Sequence, residues 1–161
     1  MAKKVRNQPL SDDSLNMIAR EYCNRQAQRV LKNRKDDDLQ NNSPFGYNIP
    51  KVVVACTSNI SPYFVCRGRN DHSPMSPHPV LRAAYPKRGQ YVHIPRTKKT
   101  KFYPVGHCAE PHAANKLLVD MGRRGKHLAI RNLRFSFAFN VKHSAVVDYC
   151  GTCQLTFPQL R

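Results

Sequence analysis

The stretch KVVVACTSNISPYFVCRGR, residues 51–69, decides how this chain folds. β-Branched and aromatic residues fill two short runs on either side of the turn-like segment SNISP, and such runs are typical of strands. The sequence therefore predicts two adjacent strands, at residues 51–57 and 63–68. Cys56 and Cys66 lie inside these runs, and we expect both to be buried, unreactive thiols.

A long amphipathic helix is predicted upstream of the two strands, at residues 12–33. Ser11 or Asp12 can cap its first turn, and apolar residues then recur at close to helical spacing. These apolar residues are Leu15, Ile18, Ala19, Tyr22, Ala27, Val30 and Leu31. The charged and amide-rich segment KNRKDDDLQNNSPFG that follows is predicted to be a loop.

Three further elements are predicted downstream. Residues 108–121 form a helix, with Pro111 in its first turn and Gly122 as a stop. Large apolar residues alternate with smaller or polar ones within residues 127–141, which predicts a strand whose phenylalanines pack in the core, although one could stack on a base. These phenylalanines are Phe135, Phe137 and Phe139. A short helix is expected to begin at the last two cysteines.

The remaining segments define the domain organisation. Residues 1–10 read as a basic N-terminal tail, and residues 11–161 as a single domain. Residues 70–104 contain six prolines and the basic segment PRTKKTK, which predicts a long Pro-rich basic loop. The chain has neither an apolar leader nor a run of 18 apolar residues, so we expect a cytoplasmic protein without a membrane span. Six unevenly spaced cysteines favour a reducing compartment with some thiols on a metal.

Basic residues dominate the charge. Lysine and arginine number 27 against 10 acidic residues, for a net charge of +17, which favours a nucleic-acid partner because polyanions are attracted to such a surface. A solvated surface without a specific partner is the alternative. The candidates for a nucleic-acid track, each equally able to be a solvated charge, are Lys98, Lys99, Lys101, Arg123, Arg124 and Lys126.

Two cysteine motifs carry the chemistry. Cys108-Ala-Glu110 opens one predicted helix, and Cys150-Gly-Thr-Cys153 opens another. Three thiolates can hold Zn²⁺ in a tetrahedral site and leave the fourth position for water, which Zn²⁺ makes acidic enough to supply hydroxide near neutral pH. Residues two apart on a helix point in different directions, so Glu110 shares this target only at the helix mouth, where it can shuttle a proton.

The two motifs, in this order and separated by a helix and a strand, resemble the zinc-dependent cytidine deaminase superfamily, which pairs H-x-E or C-x-E with P-C-x-x-C. They also resemble the bacterial toxin-type (YwqJ-like) nucleic-acid deaminases, in which the C-x-x-C motif often lies near the chain end, as it does here. Tyr149 stands where the family pattern has a proline. Asn70, in the segment RGRN, resembles a ribose-contacting asparagine of the nucleoside deaminases.

This resemblance implies a three-layer α/β/α cytidine-deaminase-like fold with a mixed central sheet. It also implies zinc-dependent hydrolytic deamination of a nucleobase in single-stranded or double-stranded DNA or in RNA, with cytosine as the leading candidate for that base. The toxin-type resemblance further implies an immunity protein as partner, and delivery into target cells as part of a larger secreted toxin. The zinc ligands would be Cys108, Cys150 and Cys153, with Glu110 as the catalytic proton shuttle.

Several alternatives remain open from the sequence. His107 competes with Cys108 as the first ligand, although its spacing from Glu110 is three residues where the family has two. His112, His127 and His143 are expected at the surface or in contact with a base. A non-catalytic, zinc-stabilised nucleic-acid-binding module and a deaminase of free nucleosides or nucleotides are the rival functions.

Overall fold

The structure is a computed structural model that describes residues 3–4, 9–39, 51–70, 76–88, 90–94, 99–103 and 105–160. The strands are β1 (Lys3–Lys4), β2 (Val52–Ser58), β3 (Phe64–Arg69), β4 (Gln90–Ile94), β5 (Lys99–Tyr103), β6 (Leu133–Phe135), β7 (Ala138–Asn140) and β8 (Val146–Val147). The α-helices are α1 (Asp12–Leu39), α2 (Pro79–Ala84), α3 (Ala109–Arg123) and α4 (Gly151–Thr156). One-turn 3-10 helices lie at Ile130–Asn132 and Pro158–Leu160.

The main sheet is built around β2. Its neighbour on one side is β3, with Cys56 opposite Cys66, and its neighbours on the other side are β6 and β7 in succession. Strand β8 extends the sheet beyond β7, and β1 extends it beyond β3. A separate hairpin pairs β4 with β5.

Every strand pairing among the described residues is antiparallel, so the expected mixed sheet is wrong for this part of the chain. The reason lies in the crossover through α3. Both β3 and the β6–β7 pair run antiparallel to β2 and hence parallel to each other. Because β2 lies between them, the two parallel segments are not neighbours, and no parallel ladder forms.

Two apolar clusters cover the two faces of the sheet. Val53 and Ala55 of β2 belong to the cluster that contains α1 residues, whereas Val54 and Cys56 belong to the cluster that contains α3 residues. Successive strand residues point to opposite faces, so α1 and α3 pack on opposite sides of the sheet. The protein is thus a mixed α/β domain whose antiparallel sheet has helices on both faces.

Gly68 brings α3 unusually close to the sheet. A Cβ atom at this position would lie 2.1 Å from the Ala109 carbonyl oxygen and 2.5 Å from the Ala113 amide nitrogen. No other residue type fits without displacing the helix backbone, because these contacts are far inside van der Waals distance. Gly68 therefore fixes where the first turn of α3, with its motif residues, meets the sheet.

Several predicted elements are confirmed near their expected bounds. The two central strands and the helices that begin at Asp12 and Ala109 are present, although α1 continues to Leu39, beyond its predicted end. Cys56 and Cys66 are buried, and burial raises the pKa of both thiols. The short helix α4 begins directly after Cys150.

The predicted strand within residues 127–141 is divided into β6 and β7. The Ser136 amide donates to the Ala55 carbonyl, and the Ser136 hydroxyl accepts from the Ala55 amide, so this residue interrupts the ladder between the two strands. Phe139 is buried, and Phe135 packs against Phe157 with ring centroids 4.8 Å apart. Phe137, expected in the core, is 53% exposed because the interruption turns it outward.

The predicted loop at residues 70–104 contains regular structure. Helix α2 begins at Pro79, where the ring suits the first turn, and the side chain of His78 caps it by accepting from the Val80 amide. The β4–β5 hairpin follows. The N-terminal tail also has structure, because β1 pairs with β3 and Leu10 is buried against the α1 cluster.

Candidate metal centre

Two helix beginnings converge at the candidate site. Cys108 is the residue before α3, and Cys150 is the residue before α4, each with extended backbone geometry. An extended residue at this position directs its side chain toward the helix end, where backbone N–H groups lack partners. The Cys153 amide accordingly donates to the Cys150 Sγ atom at 3.4 Å.

The three predicted sulfur atoms lie together. The Sγ atoms of Cys108, Cys150 and Cys153 are all within 4.8 Å of one another, and those of Cys108 and Cys150 are 3.2 Å apart. A disulfide bond is about 2.05 Å long, so these are separate thiols. Zn–S bonds of about 2.3 Å in a tetrahedron place sulfur atoms about 3.8 Å apart, so this group could hold a metal ion.

The electrostatics of the cluster also suit a cation. Hydrogen bonds from Cys108 and Cys153 lower the pKa of Cys150, which makes Cys150 the thiolate of the group. The hydrogen bond to Cys150 raises the pKa of Cys108, and hydrogen bonds to Cys108 and Cys150, together with burial, raise the pKa of Cys153. Without a cation, Cys108 and Cys153 therefore retain their protons, which a metal ion would displace.

Glu110 lies directly beside the sulfur cluster. Its side chain is only 3% exposed, and the Cys153 thiol donates to its Oε2 atom at 3.3 Å. Burial raises the pKa of the Glu110 carboxyl to about 7. A carboxyl group with such a pKa can both accept and return a proton near neutral pH.

The histidines lie outside this group. Among the described residues, the three cysteines are the one cluster of histidine, cysteine and acidic side chains that could hold a metal ion, and His107 is not part of it. His112 is partly buried on α3, whereas His127 and His143 are exposed, as expected. The structure thus places Cys108, and not His107, next to the C-x-x-C pair.

Asn70 has a structural position at the end of β3. Its side-chain oxygen accepts from the Lys51 amide at 2.7 Å and from the Val52 amide at 2.8 Å. These bonds hold the start of β2 against the end of β3. Neither bond uses the side-chain nitrogen of Asn70, and the ribose contact stays a prediction.

The predicted basic track falls into two parts. Lys98 lies outside the described residues, and for Lys99 and Lys101 the structure describes the backbone of β5 but not the side chains. The Arg124 guanidinium lies 4.7 Å from the Phe64 ring centroid, and Lys126 donates to the Ser61 hydroxyl at 3.0 Å. Arg123 is exposed.

Arg123, Arg124 and Lys126 lie far from the sulfur cluster. They follow or end α3, whose 15 residues begin next to Cys108. At a rise of about 1.5 Å per residue, a helix of this length separates its two ends by about 20 Å. The most basic end of α3 is thus remote from Glu110.

Two tyrosines near the cysteines were not identified from the sequence. Burial, with smaller contributions from Cys153 and Cys108, raises the pKa of Tyr85, whose hydroxyl oxygen is buried without a hydrogen-bond partner among the described residues. Burial, with a contribution from Glu110, raises the pKa of Tyr149 to about 12, and its hydroxyl donates to the Ser136 carbonyl at 2.6 Å. Tyr149 was visible as the neighbour of Cys150, whereas nothing in the sequence marks Tyr85.

None of the helices in the described part of the chain is both long and apolar enough to cross a membrane. Comparisons of the chain with protein-family models, with curated proteins and with solved structures find no match.

Proposed function

We propose that this protein is a zinc-dependent hydrolase that deaminates a nucleobase in a polynucleotide, with cytosine as the leading candidate for that base. The observation that carries this proposal is the meeting of three cysteine sulfurs with one buried carboxyl group at the beginning of α3. A purely structural thiolate site has no need of a buried acid with a pKa near 7. A hydrolytic site does, because a proton must move during the reaction.

Zinc is the metal that suits these donors. Three thiolates and no oxygen or nitrogen ligand from the described residues form a soft donor set, which favours zinc over magnesium, calcium or manganese. When bound at three protein ligands, zinc supplies a water molecule acidic enough to act as a nucleophile near neutral pH. Cys108, Cys150 and Cys153 are the residues that would hold it.

Glu110 has the proton-transfer role. Hydrolytic deamination forms a C–O bond at the ring carbon that carries the exocyclic amine, breaks the C–N bond, consumes one water and releases ammonia. The Glu110 carboxylate accepts a proton from the attacking water and passes it to the departing amine. Its burial against Cys153 keeps bulk water from competing for that proton.

The fold supports the resemblance to the cytidine deaminase superfamily. Helices α1 and α3 pack on opposite faces of the sheet, as a three-layer α/β/α deaminase-like fold requires. The C-x-E motif begins one helix and the C-x-x-C motif begins another. The wholly antiparallel pairing of the described strands is the departure from that fold.

A polynucleotide is the preferred substrate because of the net charge of +17. A small nucleoside gains little from so large a field, whereas a chain of phosphates gains much. DNA and RNA, single-stranded or double-stranded, all carry such a chain of phosphates. An immunity protein is the partner that the toxin-type resemblance adds.

A non-catalytic zinc module is the second candidate function. It is favoured by the contact between Cys153 and Glu110, since a carboxylate so close to the cluster could become a fourth ligand and close the site. In that case Glu110→Gln would change zinc affinity, and no base would be converted at any concentration of enzyme.

The test is a direct assay for base conversion. The zinc-loaded protein is incubated with single-stranded and double-stranded DNA, with RNA and with free nucleosides, and the products are digested and identified by mass spectrometry. Conversion of cytosine to uracil in a polynucleotide, absent with Glu110→Gln, is the expected result. Conversion of free nucleosides only, with no dependence on salt, would support the nucleoside-deaminase alternative.

A further inference from the structure

Three arginines gather where the end of β3 meets α1. We call Arg25, Arg67 and Arg69 the edge cluster. The Arg67 guanidinium lies 5.8 Å from the Tyr22 ring centroid on α1, and the Arg69 Nη1 atom lies 3.4 Å from the Gln26 Oε1 atom on the same helix. Both β3 arginines therefore point to the α1 face of the sheet.

Among the described residues, the positive charge of Arg25 acts on Arg67 more strongly than the negative charge of Glu21. Burial and the nearby charge of Arg25 lower the pKa of Arg67, and the charge of Glu21 offsets only part of this effect. The Arg67 Nε atom is buried and has no hydrogen-bond partner among the described residues. Arg25 and Arg69 are exposed, so an anion can reach their guanidinium groups from solvent.

The edge cluster lies at the same end of the sheet as the metal centre. Gly68, between the two β3 arginines, contacts the first turn of α3 at Ala109. The other end of α3 lies at the opposite end of β3, where Arg124 covers Phe64. The two arginines and the sulfur cluster are thus on opposite faces of one strand end.

In the described part of the chain, the strand edge between these two faces lacks an outer strand over part of its length. β1 pairs only with Phe64 and Val65, so the part of β3 that carries Arg67 and Arg69 has no outer strand partner in the described part of the chain. Lys116 of α3 reaches over this edge and donates to the Arg67 carbonyl at 3.1 Å. Cations therefore lie on both faces of the edge, where a phosphate backbone could cross from one face to the other.

From this arrangement we propose that the edge cluster binds phosphate groups of the polynucleotide whose base enters the metal centre. The inference rests on the proposed function for the identity of the ligand. The proposed phosphate-binding residues thus lie next to the candidate site. They replace Arg123, Arg124 and Lys126, which lie at the far end of α3. Guanidinium groups suit this task because they contact phosphate oxygens through two hydrogen bonds at once.

The test measures phosphate-backbone binding apart from deamination. A fluorescently labelled single strand that contains only thymidine has no exocyclic amine to lose, so its binding by the full-length chain does not depend on catalysis. Fluorescence anisotropy titrations at several salt concentrations compare the native protein with Arg25→Gln/Arg69→Gln. The matched control, Arg123→Gln/Arg124→Gln, removes the same charge from the other end of the sheet.

Each phosphate contact to a single strand contributes about 0.7 to the slope of log K against log salt. Loss of both exposed edge arginines should therefore lower the slope by about 1.4 and weaken binding roughly 25-fold near 0.1 M salt. We expect less than about a threefold change for the control. Equal losses in the two variants, or a larger loss in the control, would overturn the edge cluster as the phosphate site.

Folding of the variants is checked by thermal unfolding. Arg67→Gln removes packing against Tyr22 and is used only if its melting temperature matches that of the native protein. The Arg25→Gln/Arg69→Gln variant tests phosphate binding by the edge cluster even when Arg67→Gln is not used. If the edge cluster binds the thymidine strand but no base is ever converted, the proposed deamination fails while the phosphate site stands.

Discussion

The two ends of α3 differ in burial, in charge and in chemistry. At its beginning, Glu110 is buried beside the cluster of three cysteine sulfurs. At its end, Arg123 and Arg124 are exposed to solvent. A buried end with titratable side chains can perform chemistry, whereas an exposed basic end mainly affects solubility and encounter. A high net charge alone therefore does not locate a binding surface, and our proposal places that surface next to the candidate site instead.

Glu110→Gln should give the largest effect. The amide keeps the size of the carboxyl group but cannot accept a proton, so deamination should fall by about a thousandfold. Bound zinc should remain at the native stoichiometry, because the three sulfurs are untouched. Activity is measured by base conversion and zinc by elemental analysis. Asp13→Asn, at an exposed carboxylate on α1, is the control and should retain full activity.

Gly68→Ala tests whether the close approach at Gly68 positions the buried beginning of α3 against the sheet. The added methyl group would overlap the Ala109 carbonyl, so we expect a loss of about 3 kcal/mol in the free energy of unfolding, measured by urea titration. The control is Gly122→Ala, where a Cβ meets nothing within 4 Å. That change should stabilise α3 by up to about 1 kcal/mol, since alanine is the better helix former. Equal effects of the two changes would mean that the close approach at Gly68 does not matter.

The candidate site could be predicted from the sequence, but the contact that positions it on the sheet could not. Helix beginnings at Cys108 and Cys150 follow from local spacing and from the placement of prolines and capping residues, so the metal-capable group was predictable. The contact between Gly68 and Ala109 was not, because it joins residues 41 apart in the numbering and depends on how a helix seats on a strand.

The antiparallel sheet and the edge cluster were missed for related reasons. The pattern of residues 127–141 predicts a strand but not its neighbour, and the intervening position of β2 decides the direction of pairing. Arg67 and Arg69 stand among apolar residues of a strand and form no basic run, whereas the segment PRTKKTK does. Their grouping with Arg25 depends on the packing of α1.

Tyr85→Phe should have a smaller effect on stability. The change removes a buried hydroxyl oxygen that has no partner in the described part of the chain, so the free energy of unfolding of the zinc-loaded protein should rise by about 1 kcal/mol. Thermal and urea unfolding measure it. A loss of stability instead would show that the hydroxyl already has a partner, and Tyr85 would then not be a free donor near the cysteines.

Arg124→Gln should have the smallest effect. Its guanidinium stacks on Phe64 at the exposed end of α3, and such surface contacts contribute about 0.5–1 kcal/mol. Zinc content and base conversion should be unchanged within error. A drop in base conversion beyond about threefold would erase the distinction between the two ends of α3.

The central claim is that three cysteines hold one zinc ion with a position left for water beside Glu110. X-ray absorption spectroscopy of the purified, reduced protein tests it most directly. We expect one zinc per chain, with three sulfur neighbours at about 2.3 Å and one oxygen neighbour at about 2.0 Å. That oxygen neighbour should persist in Glu110→Gln, because it comes from water. No bound zinc, four ligands from the protein, or loss of the oxygen neighbour in that variant would contradict the claim.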